Sequence, residues 1–134
     1  MNMHDAELFA AEVIYSIASF SIHINIEYIT SGPKQYAQGF AYGFGFFGLV
    51  YEPTIYVNLC HVDSYKELKT VLLHEYRHLL QMKHLRKRFG LHMGNRIFNE
   101  ARGIMEDDAY RFETGRNSSL CHVLTAARYQ TFGC

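Results

Sequence analysis

The spacing of hydrophobic and polar residues changes from a helical to an alternating period near the start of the chain. Residues 5–20 carry an apolar stripe that fits one face of a helix, and Asp5 is its candidate N-cap. The stripe consists of Leu8, Val13, Ile14, Ile17 and Phe20. Residues 22–29 then alternate strictly between apolar and polar, and residues 54–59 form a second β-rich run. The first half of the chain is therefore predicted to be an N-terminal helix followed by a short twisted sheet.

The strongest helical pattern in the chain extends over residues 64–89. Its apolar residues recur near a 3.6-residue spacing, which predicts an amphipathic helix. Ser64 is a good N-cap, and Glu67 follows three residues later as in a capping box. Gly90 is a typical residue for the end of such a helix. We therefore expect one long helix with both ends specified by local sequence.

Two further helices are predicted at residues 95–113 and 118–130, so helices dominate the second half of the chain. A helix, then strands, then a series of helices is typical of an α+β fold in which helices and sheet are segregated. A chain of 134 residues is short for two cores. We therefore expect a single domain covering residues 1–134.

The run from Gly39 to Gly48 places aromatic residues on one side of a predicted strand and small residues on the other. Aromatic residues favour strands, and glycine in a strand marks a close approach of another backbone or side chain. The pattern favours a strand whose aromatic side chains pack under a helix. A wall or flap beside a cleft is the alternative.

Composition and charge narrow the classes of protein. Hydrophobic residues make up 49% of the chain and charged residues 19%, which is typical of a folded protein. Thirteen basic and thirteen acidic residues give a formal net charge of zero, so the overall charge favours neither nucleic acid nor a membrane surface as partner. Three cysteines without CxxC spacing predict neither a disulfide framework nor a thiolate metal cage. We expect a cytoplasmic location, or the host cytosol if the chain is phage-encoded.

The candidate chemistry lies inside the long helix, where His74-Glu75-Tyr76-Arg77-His78 forms an HExxH motif. Residues four apart share one helix face, so His74 and His78 can bind one metal ion together. Imidazole nitrogens favour zinc, and Glu75 can then reach a water molecule on the metal as a general base. Two surface histidines beside a coincidental glutamate are the alternative interpretation. The apolar flanks and the helical context favour one Zn²⁺ per chain.

A catalytic zinc site needs a third protein ligand, for which the sequence offers three candidates. His84 reproduces the HExxHxxxxxH spacing of metzincins, but Gln81 occupies the position of their helix-breaking glycine. On an unbroken helix, His84 points about 120° away from His78. Glu106, on the following predicted helix, is the preferred candidate because a returning helix can bring it to the histidines. Glu100 lies on another face of that helix and is the least favoured.

The HExxH motif followed by Glu106 and Ala109 resembles the gluzincin-type zinc metallopeptidases, in their small single-domain form called minigluzincins. The resemblance covers residues 54–113 and implies a zincin-like fold and hydrolysis of peptide bonds, with Glu106 as third ligand and Glu75 as general base. The family often has an acidic residue four positions after the third ligand, where this chain has Tyr110. Asp108 or Glu113 is expected to take its place in orienting a histidine.

The resemblance also implies how a substrate binds. Residues 54–59 would be the edge strand above the cleft, and a peptide or protein substrate would bind alongside it as an extended strand. An enzyme of this kind needs a hydrogen-bond donor for the oxyanion. Tyr110, His92 and His122 are candidates, and the sequence does not choose among them.

Two other classes of function remain as alternatives. Residues 77–88 contain five basic residues and no acidic one, which is typical of a solvated helix face. They also fit docking onto DNA or an acidic protein, as in the DNA-associated HExxH proteases, or a non-catalytic zinc-binding module. A cysteine hydrolase built on Cys121 and His122 is disfavoured, because adjacent residues on a helix point about 100° apart.

Overall fold

The computed structural model describes residues 1–43, 52–116 and 118–126. Within these residues, five helices and three strands, with one short 3₁₀ turn, confirm the predicted α+β class. The helices are α1 (Met3–Ile17), α2 (Tyr65–Phe89), α3 (Leu91–Glu100), α4 (Arg102–Glu113) and α5 (Leu120–Ala126). The strands are β1 (His23–Glu27), β2 (Gly39–Tyr42) and β3 (Thr54–Asn58), and the 3₁₀ turn is Leu59–His61. None of the described helices is both long enough and apolar enough to cross a membrane.

Helix α2 contacts most of the other described elements, and its predicted ends are confirmed. The Ser64 side chain accepts a hydrogen bond of 3.2 Å from the backbone N–H of Glu67, and the Glu67 carboxylate accepts one from Asp63. Gly90 follows the helix with a φ of 83°, which residues with a side chain rarely adopt. Helices α1, α3 and α4 and strands β2 and β3 all contact α2.

The sheet has the order β1-β3-β2, so β3 is the central strand. It pairs in parallel with β1, with His23 opposite Thr54, and antiparallel with β2, with Gly39 opposite Val57. The prediction that residues 54–59 form the edge strand is therefore wrong. Burial fits this arrangement, because Ile55 and Val57 are inaccessible to solvent and no residue of β3 is exposed, as suits a strand paired on both sides.

Strand β2 packs its small residues, not its aromatic ones, against α2. A Cβ atom at Gly39 would lie 2.6 Å from Val71 Cγ1 and 3.0 Å from the Tyr56 carbonyl oxygen. The aromatic ring of Phe40 instead stacks on Tyr56 across the sheet, with ring centroids 4.7 Å apart. For Phe40, the expectation that the aromatics of this run pack under a helix is therefore wrong. Residues 44–48 of the same run lie outside the described residues.

Helix α1 begins and packs differently from the prediction. Asn2 is the N-cap, since its side-chain oxygen accepts a hydrogen bond from the backbone N–H of Asp5. The buried residues are Ala6, Ala10 and Ile14, whereas Leu8 of the predicted stripe is 59% exposed. Small alanines let the helix approach its neighbours closely. The predicted stripe was based on large apolar residues and therefore did not identify this alanine-containing face as the buried one.

The helix predicted over residues 95–113 is two helices. Helix α3 begins directly after Gly90, and Ala101 separates it from α4 with φ −98° and ψ 27°. At Gly94, an added Cβ atom would lie 2.9 Å from the backbone nitrogen of Arg86, so glycine lets α3 fold back onto the end of α2. No proline or glycine marks the break at Ala101, which explains why the sequence pattern missed it.

The buried apolar residues form two clusters that share α2. One lies between α1, the sheet and the first part of α2, and the other between the last part of α2, α3, α4 and α5. Among the cysteines, Cys60 is a free exposed thiol and Cys121 is disulfide-bonded.

Gly39→Ala is expected to destabilise the protein by about 1–3 kcal/mol, because the new methyl group has no room between β2 and α2. The same substitution at Gly103 in α4 is a matched control, since an added Cβ atom there meets nothing within 4 Å. It should be neutral or stabilising by up to about 1 kcal/mol. Urea unfolding of both variants measures the difference, and equal midpoints would contradict the packing of β2 on α2.

Candidate metal centre

His74, His78 and Glu106 meet where α2 crosses α4. The Nε2 atoms of the two histidines lie 3.2 Å apart. One oxygen of Glu106 lies 2.9 Å from His74 Nε2, and the other lies 3.1 Å from His78 Nε2. This group could hold a metal ion, because each residue offers one ligand atom and these atoms all lie within 4.8 Å of one another.

The remaining ring nitrogens of both histidines face oxygen acceptors. His74 Nδ1 lies 3.2 Å from a carboxylate oxygen of Glu113, and His78 Nδ1 lies 2.8 Å from the side-chain oxygen of Gln81. An Nδ1–H bound to such an acceptor leaves the lone pair of Nε2 free. The Nε2 atoms of both histidines face Glu106, and an outer acceptor at the other ring nitrogen is typical of metal-binding histidines.

Glu75 lies beside this group and is only 7% exposed. Burial raises the pKa of its carboxyl group to about 7, and Glu106 adds to the effect while His74 opposes it. Its Cγ atom lies under β2, since a Cβ atom at Gly39 would be 3.4 Å away. A carboxyl group with a pKa near neutrality is suited to accepting and returning a proton.

Neighbouring charges act on the other members of the group. Burial lowers the pKa of His78, which keeps its imidazole neutral. Burial by itself would raise the pKa of Glu106. The interactions with His78 and His74 lower it by more, so the pKa of Glu106 lies below its usual value. Arg102 also donates a hydrogen bond of 3.1 Å to Glu106. Burial raises the pKa of Glu113, with His74 opposing.

The other two candidates for the third ligand lie elsewhere. His84 packs beside Leu85, Met105 and residues of α5, and its Nε2 is buried without a hydrogen-bond partner among the described residues. Burial, with Arg88 and Lys87 nearby, lowers the pKa of His84. Glu100 forms an exposed ion pair with Arg96. Neither belongs to the group formed by His74, His78 and Glu106.

Arg77, which the sequence placed on a solvated helix face, is buried together with Asp108. Arg77 is 4% exposed and donates two hydrogen bonds to Asp108, of 2.6 and 3.0 Å. Arg77 also donates to the carbonyl oxygen of Ser118. The interpretation of Arg77 as part of a solvated basic face is therefore wrong, and Asp108 binds an arginine instead of a ligand histidine.

Of the three candidate oxyanion donors, Tyr110 is the one in contact with the group. Its ring centroid lies 5.1 Å from that of His74, and the residue is 60% exposed. His92 and His122 are exposed on α3 and α5. Sequence reasoning missed Gln81 and also Phe98, whose ring lies 5.6 Å from that of His78. The i, i+3 spacing from His78 to Gln81 was the available signal.

A cleft of about 610 Å³ opens next to the group, between the sheet and α3. Strand β2 contributes Ala41 and Tyr42 to its wall, and α3 contributes Phe98. Arg102, which binds Glu106, lies at the same cleft. Residues 41–43 of the glycine-rich run therefore line a cleft, in agreement with the alternative prediction of a wall beside a cleft.

Comparison with known proteins gives no further guide to this site. No family model, no curated protein and no solved structure matches the chain. Any assignment of function consequently depends on the geometry of the described residues.

Arg77→Met is expected to destabilise the protein by about 3–5 kcal/mol, because it leaves the buried Asp108 carboxylate without its partner. Lys87→Met, on an exposed position of the same helix, should change stability by no more than about 0.5 kcal/mol. Chemical denaturation of both variants checks the prediction. An Arg77→Met protein as stable as the Lys87→Met control would contradict the proposed importance of this ion pair.

Proposed function

We propose that this protein is a zinc-dependent metallopeptidase of the gluzincin type. The observation that carries the proposal is that two imidazole nitrogens and a carboxylate oxygen lie within 4.8 Å of one another, beside a buried glutamate with a raised pKa. The two Nε2 atoms lie 3.2 Å apart beside the Glu106 carboxylate, and lone pairs directed at this point repel one another. A divalent cation removes that repulsion.

The donor set fits zinc in number and in spacing. Tetrahedral zinc with metal–nitrogen bonds of about 2.0–2.1 Å separates its ligand atoms by about 3.3 Å. The two Nε2 atoms lie 3.2 Å apart, and each lies 2.9 or 3.1 Å from a different oxygen of Glu106. With one ligand atom taken from each residue, all three atoms lie within 4.8 Å of one another. Two histidines and one glutamate leave a fourth position for a non-protein ligand, as in catalytic zinc sites.

When bound, zinc supplies Lewis acidity, which polarises the scissile carbonyl group and lowers the pKa of water. Glu75 then accepts the proton of the attacking water and transfers it to the departing amine nitrogen. The pKa of Glu75 is set chiefly by burial under β2. Tyr110 is the proposed donor to the developing oxyanion, because it is exposed and contacts His74.

The substrate is a peptide or protein segment in extended form, bound along β2. This strand is an edge of the sheet within the described residues and crosses Glu75 at Gly39, so main-chain hydrogen bonds to β2 would bring a peptide bond to the zinc site. The adjacent cleft has Tyr42, Met82 and Phe98 in its lining, which suits an apolar side chain of the substrate.

Glu75→Gln should retain zinc at about one ion per chain and lose at least about 100-fold in peptide cleavage, because the amide cannot accept the proton. Zinc content by atomic emission and cleavage of an unfolded protein substrate measure the two effects. Full activity in Glu75→Gln would falsify the role of Glu75. Zinc binding without cleavage by the unmodified protein would favour the non-catalytic module.

Glu106→Ala should weaken zinc binding, because it removes one of the three ligands. Glu100→Ala removes a carboxylate that is exposed and paired with Arg96, and His84→Ala removes a histidine outside the group. Both controls should leave zinc affinity unchanged. Loss of zinc in His84→Ala together with retention in Glu106→Ala would support the metzincin arrangement instead.

A further inference from the structure

We propose that Gln81 is a positioning residue that holds His78 in the Nδ1–H tautomer and directs its Nε2 atom toward Glu106. The inferred effect on metal affinity rests on the proposed zinc site, whereas the tautomer itself does not. Gln81 is 1% exposed and lies three residues after His78, on the same face of α2.

The orientation of the Gln81 amide follows from its two other contacts. Its Nε2 atom lies 3.0 Å from the carbonyl oxygen of Met105 and 2.7 Å from a carboxylate oxygen of Asp108. The Met105 carbonyl and the Asp108 carboxylate only accept hydrogen bonds, so the amide nitrogen of Gln81, and not its oxygen, must face them. The Gln81 oxygen consequently faces His78 Nδ1 at 2.8 Å, and Nδ1 must carry the hydrogen.

Asp108 is in turn held in place, so the amide has little freedom to reverse. Arg77 binds both oxygens of Asp108 and also the carbonyl oxygen of Ser118. Arg77, Gln81 and Asp108 are all buried, which excludes water as a substitute partner for most of these groups. A chain of hydrogen bonds therefore extends from Ser118 through Arg77, Asp108 and Gln81 to His78.

The two histidines of the group are oriented by different means. His74 bonds through Nδ1 to the carboxylate of Glu113, whereas His78 bonds to a neutral amide. Because the Gln81 amide is neutral, it adds no second buried negative charge next to Asp108, and it still fixes the tautomer of His78. Loss of such an outer contact typically weakens metal binding by about 10–100-fold.

The tautomer is tested directly in the zinc-free protein. Long-range ¹H–¹⁵N correlation spectra at neutral pH distinguish the two neutral forms of histidine. The unmodified protein should show His78 as Nδ1–H, and Gln81→Met, which keeps the length of the side chain but no acceptor oxygen, should show a mixture. Gln81→Glu should keep the Nδ1–H form, although it places a second carboxylate against Asp108 and loses stability.

If Gln81 had only a structural role, the tautomer of His78 would change whenever the protein lost stability. Retention of the Nδ1–H form in the less stable Gln81→Glu protein therefore supports a positioning role. His78 found as Nε2–H in the unmodified protein, or as Nδ1–H in Gln81→Met, would overturn the proposal. The first outcome needs no variant, so the test survives if a substitution prevents folding.

Zinc affinity, measured by competition with a chelator, gives the second readout. Gln81→Met should raise the dissociation constant about 10–100-fold. Asn58→Leu is the matched control, because Asn58 is an equally buried amide that bonds Ile29 and Cys60 away from the metal centre. It should lose stability and keep its zinc affinity. An unchanged zinc affinity in Gln81→Met would overturn the positioning role. Absence of zinc binding in the unmodified protein would instead overturn the proposed function, and the tautomer test would remain valid.

Discussion

The buried ion pair between Arg77 and Asp108 joins α2 to α4, and the candidate metal centre lies at the same crossing. His74 and His78 belong to α2, and Glu106 is two residues before Asp108 on α4. Removing either charged partner would leave the other buried alone, so the two helices are held in one relative position by electrostatics as well as by apolar packing. The distances within the group depend on that position.

The charges around the group are concentrated, although the chain as a whole is neutral. Glu75, Glu106 and Glu113 surround two histidines, and Arg102 is the cation that bonds Glu106. Burial raises the pKa of both Glu75 and Glu113, which expresses the cost of placing several carboxylates together in a poorly solvated region. A bound divalent cation would reduce that cost, and this links the electrostatics of the fold to the proposed function.

Close packing of β2 on α2 determines what lies above Glu75. Gly39 allows the strand to approach Val71 and Glu75, while Phe40 stacks on Tyr56 on the opposite face. Gly39 therefore serves contact with the helix, and Phe40 stabilises the sheet from its other face. One strand thus shields the general base of the proposed mechanism and also borders the cleft that we propose for the substrate.

Local sequence alone determined α2 with its caps at Ser64 and Gly90, the α+β class, and the shared helix face of His74 and His78, because each follows from hydrogen bonds or periodicities within a few residues. It also proposed Glu106 over His84, since helix geometry separates His84 from His78. Tertiary structure decided the central place of β3, the break at Ala101, the burial of Arg77 and Asp108, and the contact of Gln81 with His78. These features depend on which distant segments pack together, and a pattern of neighbouring residues contains no such information.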